Sequence, residues 1–243
     1  MRAETPGPRT DLSTQEALRF AQGDRRFAAV IFDFDETIID LEPQHTAAHA
    51  ALCRDQGSRY DDMPESFRRG SGRRIIDDIR DMRSYFGWTA PEEELFARRQ
   101  EHFDRVCREA RLEAMPGVRE TIAALRGTQL PLAITSSAVK AAIEEILERL
   151  QLRDAFTLIV DGSEVRQGKP DPEAYLLTAR KLGVAAERCL VFEDSHVGVV
   201  AAKRAGMFCV GVRNPRALER QDLSAADVVV DSMGELFFSS SRA

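Results

Sequence analysis

The chain has 243 residues, with 34 basic and 40 acidic side chains and a net charge of −6. Hydrophobic residues make up 43% and charged residues 30%, which suits one or two packed soluble domains and excludes wholesale disorder. The acidic balance argues against nucleic acid as a partner. It leaves room for a phosphorylated small molecule, because local charge decides that.

The opening MRAETPGPRT lacks the apolar stretch of a signal peptide, and no apolar run reaches bilayer length. Residues 1–26 read as a polar leader with a short helix over 13–22. Cys53, Cys107, Cys189 and Cys209 form no CxxC pair and match no zinc spacing. They read as reduced, partly buried thiols of a cytoplasmic protein.

The run from Phe27 to Phe34 is apolar with β-branched and aromatic content, and predicts a buried strand. Residues 43–112 read as helices broken at Pro64, at the loop of Gly70 and Gly72, and at the turn around Gly87 and Pro91. Tyr85 and Trp88 are expected in the core of this segment. It holds 13 Arg and 13 Asp plus Glu, so it is neutral, and the acidic excess lies in the rest of the chain. Pro116 and Gly117 then open a helix with Val118, Ile122 and Leu125 as its apolar stripe.

From there strands and helices alternate. Strands are expected at 130–134, 158–160, 189–192, 209–212 and 227–230. Helices are expected at 139–150, 172–182 and 197–205, the last two stopped by Gly183 and Gly206, with a short one over 232–237. Such alternation predicts an α/β fold, a Rossmann-like parallel sheet with helices on both faces. The segment 43–112 interrupts it as an inserted helical domain, leaving 27–42 and 113–243 as the core.

Ligands of open α/β sheets bind at the carboxyl ends of the strands. The expected strand ends carry Asp33, Asp35, Glu36 and Thr37; then Thr135, Ser136 and Ser137; then Asp161, with the loop of Gly168, Lys169 and Pro170; then Glu193, Asp194 and Ser195. Taken singly, each is an ordinary turn or helix cap. Together, Asp33, Asp35, Glu193 and Asp194 would repel one another without a cation, and hard oxygen donors of this kind select Mg2+. One of Asp33 and Asp35 can act as nucleophile and the other as general acid and base. Lys169 can hold a phosphate and pair with the nucleophile, and Thr135 offers a hydroxyl and an N–H to phosphoryl oxygens.

The segments DFDET at 33–37, DLEPQH at 40–45, TSS at 135–137, GKPDPEAY at 168–175 and FEDSHVGVVAAKRAGM at 192–207 resemble the haloacid dehalogenase superfamily. The closest likeness is to its members with a helical cap, the β-phosphoglucomutase-like and small-molecule phosphatase group. The resemblance implies that Asp33 is the nucleophile, forming an aspartyl-phosphate. Asp35 would be the acid and base, and would also give its backbone carbonyl to the metal. Asp194 would be the main Mg2+ ligand, assisted by Glu193. Lys169 and Thr135 would hold the phosphate, with Ser136 as the alternative by one register. Thr37, His45, Arg73 and Ser137 would lie near the substrate. His49, one turn after His45, would share its face, and Arg68 and Arg74 are expected to face solvent.

The family usually has Gly after the second Asp, where this chain has Glu36. The activity implied is a Mg2+-dependent phosphatase of a small phosphate ester, with a sugar phosphomutase as the alternative. A non-catalytic binding protein disabled by Glu36 is the further rival. A phosphonate-cleaving enzyme is disfavoured because residues 43–112 contain no Lys. Neither monomer nor dimer is favoured.

Overall fold

The computed structural model describes residues 27–68, 72–215 and 221–235. The leader helix expected at 13–22, residues 69–71 and the tail lie outside the described residues, as do the side chain of Arg68 and the last two residues of the helix expected over 232–237.

Six strands form one parallel sheet: β1 (Ala29–Phe32), β2 (Leu132–Thr135), β3 (Leu158–Val160), β4 (Cys189–Glu193), β5 (Phe208–Val212) and β6 (Val228–Val230), in the order β3-β2-β1-β4-β5-β6. Alternation along each strand divides the core in two. Val30, Phe32, Leu132, Ile134, Leu190 and Phe192 pack on one face, and Ala29, Ile31, Ala133, Cys189 and Val191 on the other. Phe32 stacks on Phe192 at 4.9 Å and meets Phe156 edge-on at 5.8 Å. Burying one such ring is worth about 1.5–3 kcal/mol. Because β1 lies between β2 and β4, the strand order reverses there. That opens a crevice at the carboxyl ends of these three strands.

Between β1 and β2 the chain leaves the sheet as helices α1 (Glu42–Asp55), α2 (Glu65–Arg68), α3 (Ile75–Phe86) and α4 (Glu92–Glu109). Pro43 sits in the first turn of α1, where its missing N–H costs nothing. These helices share an apolar cluster of their own that includes Leu52, Ile79, Met82, Trp88 and Leu95. Trp88 is buried and donates from Nε1 to Ser58 Oγ at 3.0 Å. Tyr85 departs from expectation, with 53% of its surface exposed. The apolar stripe of α3 continues through Phe86, which stacks on Trp88, and the Tyr85 hydroxyl donates outward to the Asp62 carbonyl at 2.7 Å.

The sheet is flanked by α5 (Val118–Arg126), α6 (Lys140–Arg149), α7 (Glu173–Leu182) and α8 (His196–Arg204). Gly117, at φ +80°, packs its α-carbon so closely that a Cβ would fall 2.1 Å from the Gly234 nitrogen.

The helical insertion is fastened over the sheet. Arg74 does not face solvent as expected. Its guanidinium donates to the Arg166 carbonyl at 3.0 Å and is held by Asp77 at 2.8 Å. Its aliphatic stem leaves no room for a side chain at Gly168. Beside it, Ser137 Oγ donates to the Gly72 carbonyl at 3.0 Å. Replacement of Arg74 by Ala should weaken this closure by about 1–2 kcal/mol, the worth of one or two such bonds. Faster amide exchange at residues 72–78 and a larger radius of gyration in solution scattering would show it. Unchanged exchange would mean that Ser137 and Gly72 suffice.

Candidate active site

Chain reversal at the end of β1 gathers the acidic groups. Asp33 follows the last residue of β1 and donates its backbone N–H to the Phe192 carbonyl at 2.9 Å, which fixes it beside β4. Glu193 closes β4, and Asp194 follows. Carboxylate oxygens of Asp33, Glu193 and Asp194 lie within 4.8 Å of one another, all buried.

Lys169 enters this cluster from the loop after β3. Its Nζ donates to Asp33 Oδ1 at 2.5 Å and to Glu193 Oε1 at 2.6 Å. The Tyr175 hydroxyl donates to the same Glu193 oxygen at 3.0 Å, and the Lys169 ammonium lies 5.1 Å from the Tyr175 ring centre. The second oxygen of Glu193 accepts from Ser195 N at 2.8 Å and Ser195 Oγ at 3.0 Å. Ser195 in turn caps α8, accepting from Gly198 N at 3.1 Å. Glu193 is thus fully engaged. Asp194 is not: Oδ1 accepts from Thr37 Oγ1 at 3.0 Å, while Oδ2 is buried without a hydrogen-bond partner.

One ammonium therefore faces three buried carboxylates. Burial, against the pull of Lys169 and with the charge of Glu193 added, holds the Asp33 carboxyl well above its usual range. Burial and the charges of Glu193 and Asp33 do the same to Asp194. For Lys169, burial opposes the charge but Asp33 and Glu193 outweigh it and raise its pKa. This deficit of positive charge, with an orphaned oxygen on Asp194, fits a divalent cation held by Asp33 and Asp194.

A cavity opens above the cluster, between the strand ends and the insertion, and Asp33, Asp35, Ser136 and Ser137 reach it from the core. Asp35 lies outside the carboxylate cluster. Its Oδ1 faces His45 Nε2 at 3.4 Å across the cavity rim. His45 is held on its other side by Arg99 and stacks on Phe103 at 4.6 Å.

Two expected contacts are displaced. The Thr135 hydroxyl is turned away from the cavity, 2.6 Å from Thr178 Oγ1. Thr178 donates to the Ala174 carbonyl, which makes Thr135 the donor of that pair. A strand residue and its successor point to opposite faces, so Ser136 is the one that meets the cavity. Its Oγ accepts from Ala138 N at 3.1 Å and keeps its own proton to donate. Thr37 is likewise fully buried behind the site, where it orients Asp194 rather than reaching a ligand.

Glu36 is buried and lines the cavity at φ +60°, the left-handed conformation that a Gly would adopt freely. It neither points outward nor disrupts the turn, for its backbone N–H donates to the Ile39 carbonyl at 2.7 Å.

On the insertion side, Arg73 reaches the cavity, but its guanidinium is held by Asp81 at 2.6 Å and Asp78 at 3.6 Å. Asp78 and Arg99 went unsignalled by motif, and Tyr175 closes the motif at 168–175 without having been given a role. Arg99 is the largest fully buried side chain. Burial lowers its pKa to about 10 despite Asp78 and Asp35, and its guanidinium sits 4.8 Å from the Phe103 ring centre. Burial raises the Asp78 carboxyl to about 7 against the pull of Arg73 and Arg99. The His49 ring is kept neutral by burial and by the charges of Arg99 and His45.

With this geometry in place, comparisons with known proteins agree on a single family. A family model described as haloacid dehalogenase-like hydrolase matches residues 27–206. The chain is 35% identical over 187 residues to a phosphorylated carbohydrates phosphatase of Thermotoga maritima, covering 74% of this chain and 82% of that one. It is 32% identical over 221 residues to hexitol phosphatase B of Escherichia coli, covering 87% and 95%. A β-phosphoglucomutase structure from Clostridium difficile superposes with a TM-score of 0.75 at 23% identity, covering 88% and 94%, a likeness of fold.

Glu193 has its position only because α8 presents no side chain at Gly198, where a Cβ would lie 1.6 Å from Glu193 Oε1. Replacing Gly198 by Ala should cost about 2–3 kcal/mol of unfolding free energy, through overpacking and a displaced buried carboxylate. Urea unfolding measures this, and a loss below about 0.5 kcal/mol would show that Glu193 relocates without penalty.

Proposed function

The chain belongs to the haloacid dehalogenase-like hydrolase family, and from that premise we propose that it is a Mg2+-dependent phosphatase of a small phosphorylated metabolite of carbohydrate type. The reading is carried by one arrangement: Asp33, clamped by Lys169 at 2.5 Å, stands at the floor of a cavity beside the partnerless Oδ2 of Asp194.

In this reading Asp33 attacks phosphorus in line, and the phosphoryl group passes from the substrate oxygen to its carboxylate. Asp35 gives its proton to the departing oxygen, then takes one from the water that hydrolyses the aspartyl-phosphate. His45, 3.4 Å from Asp35, faces that carboxyl across the cavity rim. Lys169 and the Ser136 hydroxyl meet charge that builds on the phosphoryl oxygens. Asp33 and Asp194 would hold Mg2+, which when bound neutralises phosphate charge and leaves the nucleophile ionised. Glu193 keeps Lys169 in place. The insertion acts as a cap, fastened through Arg74 and Ser137, and excludes bulk water during transfer. Four buried, unpaired cysteines suit the reducing cytoplasm.

Phosphate release should require Mg2+, and Asp33→Asn should lower it by a factor on the order of 10³ or more while the fold persists. Activity retained in that variant would remove Asp33 from the reaction. Chromatography of a sugar-phosphate panel decides between hydrolysis and mutation, since isomer formed without free phosphate would establish a phosphomutase.

Glu36→Gly should leave stability within about 1 kcal/mol, because the relieved left-handed strain offsets the entropy of a Gly in the unfolded chain. It should also raise kcat/KM severalfold by removing a carboxylate from beside the phosphate. A fall in kcat/KM would instead assign Glu36 a working role.

A further inference from the structure

Among the polar groups on the cap side of the cavity that the proposed chemistry does not use, two stand out. Asp78, on α3, lines the cavity with its nearest cation, Arg73, 3.6 Å away. His49, on α1, is 6% exposed, lines the same cavity, and has no hydrogen-bond partner at Nε2. Buried polar atoms are seldom left unmatched, and one that lines a cavity is matched most simply by what enters it.

Where the cations have gone narrows the kind of entrant. Arg73 is tied to Asp81 at 2.6 Å as well as to Asp78. Arg99 stays behind the cavity wall, engaged with His45 and the Phe103 ring. Among the described lining residues, five carboxylates stand against one guanidinium. Mg2+ and Lys169 would answer the reacting phosphate at the floor. Among the described residues, a second phosphate toward the cap would meet no unengaged cation, and its desolvation would go uncompensated there. A hydroxyl carries no such penalty. It both donates and accepts, so it can bond to a carboxyl in either protonation state and to a neutral imidazole.

Resting on the phosphatase reading, we propose that Asp78 and His49 are specificity-determining residues. They take hydroxyl groups of the leaving part of the substrate, so that the site selects the monophosphate of a neutral polyol or sugar and rejects bisphosphates. Asp78 acts twice, by bonding a hydroxyl and, together with Asp81, by keeping Arg73 from a second phosphate.

The test is steady-state phosphate release with Mg2+ on three probes: sorbitol 6-phosphate, fructose 1,6-bisphosphate and p-nitrophenyl phosphate. The wild-type kcat/KM should be at least about tenfold higher for sorbitol 6-phosphate than for either other probe. Asp78→Asn should cut the ratio of sorbitol 6-phosphate to bisphosphate about tenfold, as Arg73 is then held by Asp81 alone. His49→Phe should raise KM for sorbitol 6-phosphate about fivefold or more, with a smaller change in kcat. Circular dichroism verifies folding, and Asp78→Ser replaces Asp78→Asn if that variant fails to fold.

A wild-type enzyme that turns over the bisphosphate as well as the polyol phosphate overturns the proposal whatever the variants do. So do folded variants that leave both the ratio and the KM unchanged. Hydrolysis of p-nitrophenyl phosphate alone overturns this assignment and leaves the phosphatase reading standing. No hydrolysis of any probe overturns both.

Discussion

A single ammonium group shared between two buried carboxylates organises this molecule. Lys169 touches Asp33 and Glu193 at 2.5 and 2.6 Å, and all three residues are buried. An isolated charge there would be prohibitively costly, and so would any of the three acids without it. Much of the neighbourhood can be read as support for that contact. Tyr175 and Ser195 saturate Glu193 so that it cannot turn elsewhere, Gly198 makes room for it, and Thr37 orients the third acid. What remains unmatched is charge, and that remainder makes the cluster a site rather than a salt bridge.

The sheet explains how groups so far apart in sequence meet. Parallel strands put their carboxyl ends on one edge, and the reversal of order at β1 leaves that edge open at its centre. Three of the four polar clusters follow β1, β2 and β4 directly. The fourth, Lys169, must come from a loop, and its reach is fixed where the cap rests on that same loop through Arg74. Core and cap therefore meet over the group that holds the nucleophile.

Sequence reasoning reached the sheet, its helices and the acidic floor because those signals are local. An apolar run followed by a carboxylate reads the same in any context. Side-chain direction does not have that property. Thr135 and Ser136 differ by one step in register, and only pairing of β2 with β3 shows that the first hydroxyl turns to Thr178. Arg74 and Arg99 are two of 13 arginines in the insertion, alike by composition. One clasps the core and one is buried whole, and tertiary contact alone separates them. Tyr85 was expected inside by its aromatic character. The stripe of α3 passes through Phe86 instead, a difference of one residue that an interrupted helical segment does not disclose.

Gly198 has a consequence for the history of this chain. A helix residue without a side chain is normally free to become Ala, which favours the helix by roughly 1 kcal/mol. Here that common, helix-favouring exchange collides with an acid five positions earlier. The two sites are therefore bound in inheritance. Any descendant that fills position 198 must first shorten or redirect the residue at 193, and to do that it must find another holder for its lysine. A single missing methyl group thus closes off a mutational path that the helix, taken by itself, would welcome.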